Sequence, residues 1–286
     1  MEERAESLEL VMFLDSINSP KNGGKKIHSQ RAEIVTNSIM TGIPDINAEQ
    51  NNLIHQEIPV RFRPDGKVSS EWRNTCKENR HQTQDILRKI TSLENLAEAC
   101  KKVVKNDGGP GIDGMTVDDL KRWFANNWQT LQKAMLNGTY KPKPTKGIKI
   151  PKPKGGERLL GIPTVIDRLV QQAIAQILQT IYDPTFSKHS YGFRPKRNAH
   201  HALLQATKCV CEGKSKVIDL DLENFFGEVN HQRLLATLRT RIGDKRLIWI
   251  LNLTLKTGIL LDGVLGQQGK GTPQGSPLSP LLSNIT

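Results

Sequence analysis

One short stretch, KVIDLDLENFF at residues 216–226, constrains the fold more than any other, because apolar and acidic side chains alternate along it before two phenylalanines. Alternation with period two is the pattern of a β-strand, whose successive side chains point to opposite faces. Ile218, Leu220 and Leu222 would then line one face, and Val217, Asp219 and Asp221 the other. A carboxylate buried without a partner costs several kcal/mol or surrenders its charge. The strand is therefore expected to pack its apolar face on helices and to turn its acids into a cleft, beside something positive.

Positive charge is plentiful. The 286 residues carry a formal net charge of +12. Between Lys141 and His200 there are twelve Lys/Arg against Glu157, Asp167 and Asp183, a local excess of +9, with lysines interleaved among prolines and β-type residues. Such a segment suits a polyanion, since cations along a groove release counterions from a nucleic-acid backbone. No basic amphipathic helix, lipidation signal, leader-like apolar region or run of membrane-span length is found, which argues against a membrane partner. The four cysteines (Cys76, Cys100, Cys209, Cys211) lack paired C-x-x-C spacing and read as reduced thiols. The expectation is a soluble intracellular protein, cytoplasmic in a bacterium or housed in an organelle.

Along the chain, residues 1–48 contain one amphipathic piece, LELVMFLDSI, and otherwise predict a flexible extension. The pattern DILRKITSLENLAEACKKVV predicts a helix from about Gln84 to Lys105, broken by NDGGPGIDG. Thr116 and Asp119 have capping-box spacing for a helix to about Leu136, with Trp123, Trp128 and Leu131 as core candidates. GIKIPKPKGGERLLGIP predicts a β-hairpin turning at Gly155-Gly156. Thr164 and Asp167 cap the next helix, and SYGFRPKRNAHHALLQA is a basic loop running into another. After the acidic strand come a helix from near Asn230, a helix carrying RLIWILNLTLK, and a turn-rich close that runs into a short helix. Helices mixed with separated hairpins predict an α+β fold.

Three constellations could carry chemistry. Asp219 and Asp221 form D-x-D, suited to Mg²⁺ with phosphate oxygens, although the same motif occurs in sugar-nucleotide transferases. Lys152 and Arg158 flank the hairpin turn and could clamp a triphosphate, or could simply solubilise its tip. GTPQGSPLSPLL is a stiff loop with Gln274 at its apex. The neighbouring GQQGKGT is not a phosphate-binding loop, because Gly271 stands where Ser or Thr should follow Lys270.

Taken in order, KNDGGPGIDG, IPKPKGGERLLGIPTVIDRLVQQAI, SYGFRPKRNAHHAL, VIDLDLENFFGEVNH and GTPQGSPLSPLLSNI resemble the polymerase domain of group II intron reverse transcriptases (maturases), from about Lys101 onward. The resemblance implies a right-hand polymerase fold of class α+β: residues 49–200 fingers with an N-terminal extension, and 201–286 a partial palm. It implies RNA-directed DNA synthesis, with Mg²⁺ held by the catalytic Asp221 and the Leu222 carbonyl, and Asp219 in support. Phe226 would be the steric gate against a 2′-hydroxyl, with Phe225 in the core. Lys152, Arg158, Gln274 and Gly275 would hold the nucleotide, and Asn106, Gly108, Gly111, Asp113, Arg194 and Arg197 the RNA template, Arg194 alternatively bracing the fingers.

Implied partners are group II intron RNA, an RNA template with DNA primer, and deoxynucleoside triphosphates; a homodimer is compatible. Two departures stand out, Gly227 where the family has Asp and Ser276 where it has Gly. The chain reaches Thr286 before any Tyr-x-Asp-Asp segment, so a polypeptide of these residues is expected to bind RNA and polymerise poorly. The competing expectation is a non-catalytic intron-RNA-binding splicing factor.

Overall fold

The computed structural model describes residues 83, 85–151, 155–267 and 269–286. The N-terminal amphipathic piece and extension, Cys76 and Lys152 lie outside them. Where periodicity predicts one helix from Gln84 to Lys105, there are two, α1 (Ile86–Ile90) and α2 (Leu93–Asn106). Ser92 makes the break: its backbone is extended and its hydroxyl accepts the Asn95 N–H, the geometry of an N-cap. Helix α3 (Val117–Leu136) starts at Thr116 with the full capping box to Asp119. It buries Trp128 and Leu131 and leaves Trp123 partly covered.

Strands β1 (Thr145–Pro151) and β2 (Glu157–Ile162) form the expected antiparallel hairpin, Ile150 opposite Arg158. Helix α4 (Val165–Tyr182) follows, and its start is where hairpin and helices are joined. The Asp167 carboxylate accepts from the Thr164 hydroxyl at 2.6 Å, the Tyr140 hydroxyl at 2.5 Å and the Lys143 N–H at 3.2 Å. Burial pushes this carboxyl up, and those three donors pull the other way. Helix α4 packs along α2, and α1, α3 and the later helices close one core around Leu87, Leu96, Phe124, Leu169, Ile174 and Leu178. Cys100 belongs to that core, where burial pushes its thiol up to about 12.

The second half contributes α5 (Ala199–Cys211), the four-residue α6 (Phe225–Glu228), α7 (His231–Arg239) and α8 (Lys245–Lys256). Strands β3 (Ile259–Leu261) and β4 (Val264–Gly266) then precede α9 (Ser279–Ile285). β3 runs parallel to β1, Thr145 beside Ile259, giving a sheet in the order β2-β1-β3-β4. This second hairpin is absent from the sequence reading. Its signal is Asp262-Gly263, both with positive φ, at the two central positions of a tight hairpin turn.

The acidic strand requires correction. Lys216–Glu223 is unpaired, and Val217, Ile218, Leu220 and Leu222 are 70–88% exposed. A strand needs a ladder partner as well as an alternating pattern. Among the described residues none runs beside it, and the sheet ends at β2 and β4. Helix α5 shares this condition, with no buried residue and Leu203, Leu204 and Val210 exposed.

At the start of α8, the buried Asp244 caps the helix and accepts from the Leu87 N–H at 3.3 Å and from Arg246, which also reaches Asp85. Burial alone would raise this carboxyl, but the hydrogen bonds from Arg246 and Leu87 together hold it below its ordinary value. Its contribution to stability is thus present above the ordinary carboxylate pKa and lost as pH falls through the lowered one. Asp244→Ala removes a cap and strands the Leu87 N–H, an expected loss of about 2–3 kcal/mol. Urea denaturation at pH 7 and pH 3 checks it: the difference between wild type and variant should shrink at the lower pH.

Candidate nucleotide and template site

The loop Gly271–Ser276 organises the site. Its backbone reaches α6 and α7 on one side: the Gly271 N–H donates to the Val229 carbonyl at 2.8 Å and the Thr272 N–H to the Phe226 carbonyl at 2.7 Å. His231, 5% exposed, holds the Gly271 carbonyl at 2.6 Å, so its Nε2 carries the proton. On the other side the Gly161 N–H of β2 donates to the Gln274 carbonyl at 2.8 Å. Glycine is required at both anchor points. At Gly271 (φ 87) a Cβ would stand 2.8 Å from the Gly227 carbonyl, and at Gly275 (φ 111) 2.6 Å from the Gly161 carbonyl.

Three sequence motifs meet through this loop, and a fourth joins them at Phe226. The β1–β2 hairpin joins at Gly161, the phenylalanine pair at Phe226 and the helix after the hairpin at Gln171, whose side-chain oxygen accepts from the Ser276 hydroxyl at 2.8 Å. The fourth is the SYGFRP loop, whose Phe193 ring meets the Phe226 ring edge-on, centroids 6.4 Å apart. Both departures from the family pattern acquire a local cause. Ser276 is buried and satisfied by Gln171, and at Gly227 the space for a Cβ is filled by the Asn224 side chain, 2.4 Å away.

The expected site residues fare differently. Arg158 is exposed on β2, across from Ile150 on the same face of the hairpin. Gln274 is half-buried. Phe226 is half-buried, and so is Phe225, which stands outside the core cluster and against Phe226 at 6.1 Å. Asp219 and Asp221 are exposed, and the Asp221 carboxylate accepts from the Leu222 N–H at 2.9 Å. Among the described residues no three His, Cys, Asp or Glu side chains cluster to hold a metal. Asp221 and the Leu222 carbonyl are thus too few donors for a two-ion centre.

In the NDGGPGIDG loop, Asn106 is exposed at the end of α2, and Gly108 and Gly111 lie so close to Arg168 and Thr164 that a Cβ would clash with either. The Arg168 guanidinium donates to the Gly109 carbonyl at 2.7 Å, and Asp113 pairs with Lys143 at 3.2 Å. These contacts clamp the loop onto the start of α4. Of the two roles expected for Arg194, bracing the fingers and contacting the template, its contacts are those of a brace. Its side chain is 4% exposed and donates to the Asp183 carboxylate and to the Asp183, Ser187 and Ser190 carbonyls. Arg197 donates to the Lys188 and Ser190 carbonyls and lies over the Tyr191 ring. His231, Gln171 and Phe193 were missed by the sequence reading, because nothing in their spacing announces contacts made 40, 105 and 33 residues away.

A hairpin, a glycine loop and a paired-phenylalanine turn are joined here within a mixed α+β fold, the class of a reverse transcriptase domain. Residues 150–286 match the family model described as reverse transcriptase (RNA-dependent DNA polymerase). The relatives narrow the class. Protein YkfC of Escherichia coli is 40% identical over 71% of this chain and 55% of its own length. Group II intron-encoded protein LtrA of Lactococcus lactis is 34% identical over 62% of this chain and 30% of its own. The putative COX1/OXI3 intron 1 protein of Saccharomyces cerevisiae is 30% identical over 74% of this chain and 25% of its own. The chain is similar to group II intron-encoded reverse transcriptases and maturases, and it spans about half or less of the length of these relatives. Among the described residues no helix is long and apolar enough to cross a membrane.

Proposed function

We propose that this chain is the nucleotide- and template-gripping part of an RNA-directed DNA polymerase that also assists its intron as a maturase. Residues 49–200 act as fingers and 201–286 as a partial palm. The observation that carries the reading is the Gly271–Ser276 loop, which is hydrogen-bonded at once to β2 and to the Phe226 turn. A nucleotide held by the hairpin would thereby have its base over Gln274 and its sugar near Phe226. Arg158, with Lys152, serves the triphosphate, and a fork of donors suits its oxygens. Asp221 and the Leu222 carbonyl would contribute ligands to Mg²⁺, which in such enzymes activates the primer hydroxyl and steadies the leaving pyrophosphate. Further ligands are needed to complete that set.

The partners proposed are intron RNA, an RNA template with DNA primer, and deoxynucleoside triphosphates. Exposed Lys141, Lys146, Lys188 and Lys196 support a phosphate-lined surface. RNA affinity should drop by roughly a thousandfold between about 50 and 200 mM salt if six or more phosphates are neutralised. Filter binding across that range checks it, and an almost constant affinity would remove the RNA surface from the reading. The second reading, a splicing factor without polymerase activity, is favoured by one observation: among the described residues no three His, Cys, Asp or Glu side chains gather at Asp221 to hold a metal. Primer extension on an RNA template by the full-length protein separates the two.

A further inference from the structure

Phe193 combines two features that a loop residue normally avoids. Its backbone is left-handed, with φ 54, and its ring is 68% exposed. Positive φ is uncommon for a bulky side chain, and glycine fills such positions readily. Glycine is in fact the preceding residue, Gly192, whose Cβ position is open space. The loop could therefore turn here without an aromatic ring. What the ring touches is Phe226, at a centroid distance of 6.4 Å and an interplanar angle of 89°.

Phe226 needs such a neighbour. It lies on α6, a helix of four residues with no side-chain cap, entered through Asn224 at φ 48. Its carbonyl is fixed by the Thr272 N–H, but that bond holds the backbone and leaves the ring to its surroundings. Two rings supply them, Phe225 at 6.1 Å and 72° and Phe193 at right angles. Phe225 is the immediate chain neighbour and moves with α6. Phe193 belongs to a different element and is anchored independently. Arg194 beside it is buried, makes four hydrogen bonds to Asp183, Ser187 and Ser190, and lies over the Phe186 ring at 5.4 Å. The loop is therefore rigid where it presents Phe193.

We propose that Phe193 is a positioning residue for sugar selection: its ring fixes how far the Phe226 ring stands over the nucleotide sugar, and so how strictly a 2′-hydroxyl is rejected. The inference rests on Phe226 being the gate. Edge-to-face pairing of two rings is directional, so one ring holds the tilt of the other as well as its position. Without Phe193 the Phe226 ring is free to swing toward the loop, and the space for a 2′-hydroxyl opens.

The test compares incorporation efficiencies for dNTP and NTP, with thermal melting, in the full-length protein on a primed RNA template. Phe193→Gly is the informative variant, because glycine relieves the left-handed backbone and should leave the melting temperature unchanged or higher. The expected result is an NTP/dNTP ratio raised about five- to tenfold, less than in Phe226→Ala, with Phe193→Tyr restoring the wild-type ratio. A purely structural role would shift melting and leave the ratio. If Phe226→Ala shifts the ratio and Phe193→Gly does not, the positioning role is overturned while the gate stands. If Phe226→Ala leaves the ratio unchanged, the gate reading fails and the proposal falls with it.

Discussion

Asp221→Asn is expected to abolish DNA synthesis by the full-length protein while its melting temperature and RNA affinity stay at wild-type values. The structural basis for the second half is plain. Asp221 is exposed, and among the described residues its one hydrogen bond is from the N–H of the next residue, Leu222, which an asparagine side-chain oxygen accepts equally well. Among the described residues no basic side chain pairs with the Asp221 charge. The first half follows from the chemistry of the ligand. A neutral amide is a weak donor to Mg²⁺, and outer-shell changes alone cost metal sites ten- to a hundredfold, so loss of a direct ligand charge should exceed about a hundredfold.

Asp219→Asn, two residues earlier on the same open segment, should lower synthesis by only about threefold, an order less than outer-shell losses. Single-nucleotide incorporation, filter binding and thermal melting on the three proteins give the answer. Equal losses from both substitutions would mean that the wrong acid was chosen, and retained synthesis in Asp221→Asn would remove the catalytic assignment.

How much of this was legible in the chain depends on the range over which each signal acts. Helix starts were readable because caps are local: Thr116 with Asp119, Thr164 with Asp167 and Asn230 before α7 each act within three residues. The β1–β2 hairpin was readable for the same reason. The break at Ser92 was passed over because the apolar periodicity runs through it, although Ser92 has the residue type of a cap. The β3–β4 hairpin was missed despite its Asp262-Gly263 turn, since three-residue strands leave little alternation to see. The acidic strand failed in the opposite direction. Its alternation is clear, but pairing is a property of two segments, and no second one adjoins it among the described residues. The candidate site divides likewise. Motif order pointed to Phe226, Gln274 and Gly275, whereas His231 under Gly271 and Gln171 under Ser276 emerge only when the chain is folded.

Gly275→Ala should be among the most damaging single-methyl substitutions in this chain, and Gly156→Ala is its control. Both glycines have positive φ, 111 and 85, so each alanine carries the cost of a left-handed backbone, about 1–2 kcal/mol. They differ in what the new methyl meets. At Gly156, on the hairpin turn, nothing lies within 4 Å, whereas at Gly275 the Gly161 carbonyl stands 2.6 Å away. That carbonyl is backbone in β2 and cannot swing aside as a side chain would. The loop must lift from the strand, which strains or breaks the bond from the Gly161 N–H to the Gln274 carbonyl and displaces the Gln274 amide. Losing that bond and straining the backbone adds about 1–3 kcal/mol beyond the control. Nucleotide affinity should fall in Gly275→Ala because Gln274 moves, and hold in Gly156→Ala to the extent that the hairpin tip absorbs the change. Urea denaturation together with the KM for dNTP measures both effects. Equal destabilisation by the two alanines would show that the methyl finds room at Gly275, and the link between loop and hairpin would then not be what positions the nucleotide.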